Sequence, residues 1–145
     1  MNQQQLFEIM NQNPAFFLAT CDGFEPRVRA MLLYRADENG IVFHSGPMKE
    51  VYRQIADNPN VQLCFWDPAK GVQVRVRGVL SISDDPAIKE EISNHPSRAF
   101  MRSWPVYGKS KKEFFDFFSV FTLKNGIANV WTFDTNFAPK EDIEL

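Results

Sequence analysis

The sequence predicts a mainly β domain, folded as a closed or nearly closed six-stranded barrel with short helices. At least six segments have the alternation or the β-branched and aromatic content of strands, and turn residues separate most of them. Only short helical patterns lie between these segments, which argues against a doubly wound parallel sheet. A barrel also pairs the edge strands that an open sheet would leave exposed.

Length, charge and cysteine content limit the class of protein. The 145 residues match one ordinary domain, and we expect a single domain over residues 1–145. A net charge of −2 provides no general basic field, which argues against nucleic acid or a membrane surface as a partner. Cys21 and Cys64 have no metal-ligand spacing, and no signal-peptide pattern is found. We therefore expect a cytoplasmic protein.

The first part of the chain predicts a helix followed by an antiparallel meander. Apolar residues at helical spacing indicate a helix over Gln3–Met10, and Asn13-Pro14 ends it. Asp-Gly and Asn-Gly breakers divide the next segment, as expected for hairpin turns. The predicted strands are Ala15–Thr20, Arg27–Arg35 and Ile41–Ser45.

A second helix and two further strands are predicted next. The apolar spacing becomes helical at Met48 and stops at Asn58-Pro59. Strands are then predicted over residues 61–67 and 71–83. In the second of these strands, alternation gives one aliphatic face and one polar, cationic face, formed by Gln73, Arg75 and Arg77.

The last third of the chain has fewer regular patterns. A helix is predicted over residues 86–95, capped by Asp84 or Asp85. Residues 96–110 are predicted to be irregular, and residues 111–123 to form a short helix that leads into a strand. The final strand is predicted over residues 126–134, and the tail after it is expected to be loose.

Two arginines share one face of a predicted strand. Arg27 and Arg29 are two residues apart and therefore point to the same side. One interpretation is a solvated outer face, because charged side chains are mostly exposed. The other is a local anion site, which the next helix start favours. Ser45 precedes that helix and Lys49 lies in its first turn, where unpaired backbone N–H groups attract phosphate. Ser and Pro are also ordinary helix-start residues, so this pattern alone does not decide between the two.

Three stretches of the sequence resemble one protein family. They are RAMLLY (Arg29–Tyr34), VFHSGPMKEVYRQIADNPNVQLCFWD (Val42–Asp67) and VQVRVRGVL (Val72–Leu80). Between Phe17 and about Ser83 the chain resembles the pyridoxamine 5'-phosphate oxidase-like superfamily, and above all its short, nitroimidazole-reductase-like members. The resemblance implies a six-stranded split β-barrel that binds FMN, in a homodimer with the cofactor at the subunit interface.

The matching positions imply a set of cofactor contacts. Arg29 matches the arginine that holds the FMN phosphate, and the backbone of residues 30–32 matches a strand that follows the flavin. His44 and Ser45 match a strand end near the ribityl chain and the phosphate. The implied cofactor-binding residues are Arg29, Ala30, Met31, Leu32, His44, Ser45, Lys49 and Gln73.

The sequence also departs from the family pattern. Tyr34 stands where many relatives have a lysine, and Glu50-Val51 replaces a basic pair of the longer oxidases. The C-terminal Arg-x-His element that holds pyridoxine phosphate in those oxidases has no counterpart after residue 130. Oxidation of vitamin B6 is therefore not expected.

The function that this resemblance implies is an FMN-dependent oxidoreductase acting on a small organic acceptor, with NAD(P)H or another donor. No catalytic side chain is assigned, because the flavin carries the redox chemistry. One alternative is a non-catalytic flavin-binding or storage protein. Another is a haem-handling relative, in which His44 or His95 would be the axial ligand.

Some residues keep two interpretations. His44 and His95 have no companions at ligand spacing, so no metal site is predicted. Trp104, Tyr107 and Trp131 either cover a bound flavin or pack in the core.

Overall fold

The computed structural model describes every residue from Met1 to Leu145, and its elements follow the predicted order. The strands are β1 (Ala15–Asp22), β2 (Glu25–Asp37), β3 (Gly40–Ser45), β4 (Asn60–Asp67), β5 (Val72–Ser83), β6 (Ser119–Leu123), β7 (Ile127–Thr132) and β8 (Ile143–Glu144). The helices are α1 (Gln3–Gln12), α2 (Glu50–Asp57), α3 (Pro86–Asn94) and α4 (Lys111–Phe115), and a 3-10 helix (Pro96–Ser103) joins α3 to α4. No α-helix has the length and apolar content that crossing a bilayer requires.

Six strands close into an antiparallel barrel in the order β1-β2-β3-β6-β5-β4, since β4 pairs with both β5 and β1. This confirms the predicted six-stranded barrel. The long strand β5 changes partner along its length: Val72–Arg77 pairs with β7, and Leu80–Ser83 pairs with β6. The change falls at Gly78, where an added Cβ would lie 3.1 Å from a Leu123 methyl group. A residue without a side chain therefore allows the sheet to split there.

The barrel interior is filled with aromatic rings. Phe16 stacks on Phe65 with centroids 4.9 Å apart and meets Phe43 edge-on at 5.2 Å. Helix α1 closes one end of the barrel with the buried side chains of Leu6 and Ile9. Much of the phenylalanine content therefore serves the core, as aromatic side chains often do.

A second, smaller apolar cluster lies outside the barrel. It joins β3 and β6 to α3, the 3-10 helix and α4 through Val42, Ile92, Met101, Phe115, Phe118 and Val120. This packing fixes the 3-10 helix against the end of β3 and so places its side chains beside the cavity described below.

Two segments differ from the sequence predictions. Part of the stretch predicted to be irregular is the 3-10 helix, in which a proline occupies the first turn and the His95 side chain accepts a hydrogen bond from the Ser97 N–H. The tail predicted to be loose forms β8 on β7. Its position is held by an ion pair between Arg77 and Asp142, with N···O 2.7 Å, which no local pattern reveals.

Candidate functional site

A cavity of about 710 Å³ opens between β2, the end of β3, the start of α2 and the 3-10 helix. This volume lies in the usual range for small-molecule and cofactor sites. Nearly all of the residues predicted to bind a cofactor lie on its wall: Arg29, Ala30, Met31, Leu32, His44, Ser45 and Lys49.

Gln73 lies outside this cavity. It is on β5 and pairs across the sheet with Trp66 of β4 and Trp131 of β7. Its assignment to the cofactor stays a prediction, and it requires a second protomer to bring Gln73 to a cavity.

Arg27 is exposed and forms an ion pair with Glu25 at 2.7 Å, so that of the two arginines on β2 only Arg29 lines the cavity.

Arg29 is anchored by the barrel and by α2. Its Nη1 donates to Thr20 Oγ1 at 2.7 Å and to the Leu18 carbonyl at 3.3 Å. Its Nη2 donates to Gln54 Oε1 at 2.5 Å, and Thr20 and Gln54 are both buried. Burial and the nearby Arg27 lower the pKa of Arg29, although a guanidinium stays charged at neutral pH. These contacts fix a cationic group at one end of the cavity.

Further donors line the same cavity as Arg29. Ser45 is buried at the end of β3, and Lys49 is exposed at the N-cap of α2, where no side chain caps the helix. The first N–H groups of α2 therefore remain available, and the helix dipole favours an anion there. Glu50 also lines the cavity and offsets part of the positive charge. The arrangement suits a phosphate group.

The other part of the cavity is aromatic. Phe100, Trp104 and Phe117 form its wall, and Trp104 lies 5.3 Å from Phe117 and 6.2 Å from Phe100 between ring centroids. Of these three residues, only Trp104 is predicted from the sequence as a candidate, and the two phenylalanines are not. Phe100 lies in the 3-10 helix and Trp104 is the residue that caps its end, so no local period of the sequence groups these aromatic residues.

The two other aromatic candidates do not line the cavity. Tyr107 is exposed and lies against Phe114 of α4, with ring centroids 6.4 Å apart. Trp131 packs against Trp66 with ring centroids 6.5 Å apart. Within one protomer, neither side chain is part of the cavity wall.

Arg98, which the sequence analysis did not single out, lies behind His44. Its Nε donates to His44 Nε2 at 2.8 Å, and its Nη2 donates to the Leu33 carbonyl at 2.9 Å. Burial lowers the pKa of His44 to about 3, with further contributions from Arg98 and Lys49, so the imidazole is neutral at physiological pH. The Tyr34 ring lies 5.3 Å from the Arg98 guanidinium and is not part of the cavity wall.

The cavity is suited to binding more than to acid–base chemistry. Its only imidazole, that of His44, is neutral, and one ring nitrogen is already engaged. No group of three or more His, Cys, Asp or Glu side chains is arranged to hold a metal ion. These walls suit a ligand with an anionic end and a flat ring system.

Comparisons with known proteins give a consistent result. A family model described as pyridoxamine 5'-phosphate oxidase matches residues 3–120. The pyridoxine/pyridoxamine 5'-phosphate oxidase of a Bradyrhizobium species is 31% identical over 96 residues, which are 66% of this chain and 44% of that protein. A second such oxidase, from a Psychrobacter species, is 32% identical over 110 residues, which are 72% of this chain and 51% of that protein. The chain thus spans about half the length of the curated relatives it matches.

Solved structures share the fold. A NimC/NimA family protein from Clostridium acetobutylicum has a TM-score of 0.76 at 22% identity, with 99% of this chain and 93% of that protein covered. A pyridoxamine 5'-phosphate oxidase-related, FMN-binding protein from Nostoc punctiforme has a TM-score of 0.70 at 19% identity, with coverages of 97% and 87%.

Proposed function

Because the chain belongs to the pyridoxamine 5'-phosphate oxidase family of FMN-binding split barrels, we propose that it binds FMN in the cavity beside β2 and acts as an FMN-dependent oxidoreductase on a small organic acceptor. The observation that carries the proposal is the anchored Arg29 guanidinium at the polar end of a cavity whose other wall is aromatic. No other charged side chain on that wall is fixed by several hydrogen bonds.

The residues of the cavity would share the binding. Arg29, Ser45 and Lys49 would hold the phosphate, and the backbone of residues 30–32 would lie along the ring system. When bound, FMN supplies the redox chemistry. Phe100 and Trp104 would exclude water from the ring, since both line the cavity and are held by neighbouring aromatic side chains.

We also propose a homodimer in which the cavity is completed by the partner. The outer face of β1, β2 and β4 exposes apolar side chains: Phe17 is 55% exposed, Val28 68%, Leu32 41% and Trp66 46%. Leu32 also lines the cavity, so the cavity opens onto this face. Burying an apolar patch of this kind favours association, and two-fold dimers are the commonest oligomers.

The redox part of the proposal is tested by steady-state turnover. NAD(P)H oxidation is measured with nitroaromatic and quinone acceptors, and the control is free FMN at the same concentration. We expect a rate above that of free FMN. A protein that binds FMN but gives no rate above the control would be a flavin-binding or storage protein, and the enzymatic proposal would be wrong.

A further inference from the structure

We propose that Arg98 is a positioning residue that holds His44 as its Nδ1–H tautomer, so that His44 presents a fixed hydrogen-bond donor to an acceptor atom of the ligand in the cavity. The identity of that ligand, a flavin, rests on the proposed function, whereas the tautomer does not.

The Arg98 guanidinium has little freedom to move. The residue is 2% exposed, and its Nη2 donates to the carbonyl groups of Leu33 at 2.9 Å and Leu32 at 3.3 Å. The Leu33 carbonyl lies where the pairing of β2 with β3 shifts register, and such irregularities disrupt the regular ladder. The guanidinium also lies 5.3 Å from the Tyr34 ring and 5.8 Å from the Phe100 ring. It is therefore a donor of fixed direction.

This donor determines which nitrogen of His44 carries the proton. Arginine has N–H groups and no acceptor, so His44 Nε2, at 2.8 Å from Arg98 Nε, must accept. A neutral imidazole then carries its only proton on Nδ1. An imidazolium would direct a second N–H at the guanidinium. The repulsion between the two cations and the loss of solvation on burial both disfavour this charged form.

The other nitrogen, Nδ1, is available to a ligand. It forms no hydrogen bond within the chain and is not fully buried, and His44 lines the cavity. Packing against Phe118, at 5.6 Å between ring centroids, and against Trp104, at 6.3 Å, fixes the plane of the ring. The cavity therefore selects a hydrogen-bond acceptor at this point. The same geometry argues against His44 as a haem ligand through Nε2.

The tautomer is measured directly by nitrogen NMR of the histidine rings, in uniformly 15N-labelled protein freed of flavin. The chain has only two histidines, and a His95→Gln variant assigns the signals. We expect a protonated Nδ1 and an unprotonated Nε2 for His44, unchanged between about pH 5 and pH 8. The charged groups that face or line this region are Arg29, Lys49, Glu50 and Arg98. A proton on Nε2, or on both nitrogens, would overturn the inference.

The link to the ligand is tested with matched variants. Arg98→Met removes the donor, and Arg102→Met is the control, because Arg102 is an exposed residue of the same 3-10 helix. We expect Arg98→Met to give a mixture of His44 tautomers and to weaken FMN binding about three- to tenfold, and Arg102→Met to change neither. An unchanged tautomer in a folded Arg98→Met protein would overturn the role of Arg98.

A second variant keeps the inference testable if Arg98→Met does not fold. His44→Phe removes the donor and keeps a ring in the same apolar setting. It should weaken FMN binding about three- to tenfold, and full affinity would contradict the donor role. If the wild-type protein binds no FMN at all, the proposed function is wrong, whereas a wrong tautomer refutes only this inference.

Discussion

Arg29 of β2 donates to the side-chain oxygen of Gln54 of α2 at 2.5 Å, and this contact joins the barrel wall to the helix whose start forms the polar end of the cavity. Thr20 of β1 donates to the same oxygen at 2.6 Å. The amide oxygen of Gln54 therefore links β1, β2 and α2.

Arg29→Ala should weaken FMN binding by about 1.5–3 kcal/mol, because it removes a charge-assisted contact to the phosphate. Fluorescence titration with FMN measures the change. The matched control is Arg77→Ala, since Arg77 is exposed and forms an ion pair with Asp142 away from the cavity. Equal affinities for Arg29→Ala and the wild-type protein would contradict the assignment of the phosphate site.

Gln54→Leu should reduce the free energy of unfolding by about 1–3 kcal/mol, because the buried Thr20 hydroxyl and part of the Arg29 guanidinium lose their acceptor. Urea denaturation measures this change, and Gln12→Leu, at an exposed position of α1, is the control. The variant should also bind FMN less tightly, because Arg29 is no longer held. A variant as stable as the control would show that this network is dispensable.

His44 should make stability depend on pH. Its pKa is about 3 in the folded protein against an ordinary value of 6.5, so below pH 6.5 the unfolded chain binds a proton that the folded chain does not. The free energy of unfolding should therefore fall as the pH falls from 6.5 towards 3, by up to about 1.4 kcal/mol per pH unit from this group. The test compares the slope between about pH 6.5 and 5, above most carboxylate titration, in the wild-type, His44→Phe and His95→Gln proteins. Only His44→Phe should flatten the slope. An unchanged slope in that variant would mean that His44 is not buried as a neutral ring.

The proposed dimer gives a fourth prediction. Val28→Glu places a charge in the exposed apolar face of β1, β2 and β4 and should shift the protein to monomers, as measured by light scattering after size exclusion. Asn39→Glu adds the same charge at the exposed turn between β2 and β3 and should have no effect. If Gln73 reaches the partner's cavity, Val28→Glu should also weaken FMN binding. A wild-type protein that is monomeric with FMN bound would contradict the dimer.

The sequence predicts those parts of the site that follow from local patterns, namely alternation along a strand and the residues at a helix start. Alternation along β2 places Arg29 on the same face as Arg27, and the helix-start pattern locates Ser45 and Lys49. The barrel follows in the same way from strand-length segments and their turns, which the strand pairings confirm.

The parts that the sequence does not predict depend on long-range packing. Arg98 is 54 residues from His44 and 65 from Leu33, and it lies in a short 3-10 helix with no regular apolar period. Its role arises only when the second, smaller apolar cluster, which lies outside the barrel, fixes that helix beside β3. The position of the tail has the same origin, since β8 is held by pairing and by Arg77 rather than by its own sequence.

The central claim is that the cavity binds FMN through its phosphate, and the most direct measurement is a pair of fluorescence titrations of the flavin-free protein with FMN and with riboflavin. The two ligands share the ring system and the ribityl chain, and only FMN has the phosphate that Arg29, Ser45 and Lys49 would hold. We predict that FMN binds at least about tenfold more tightly than riboflavin. Equal affinities, or no binding of either ligand, would contradict the account.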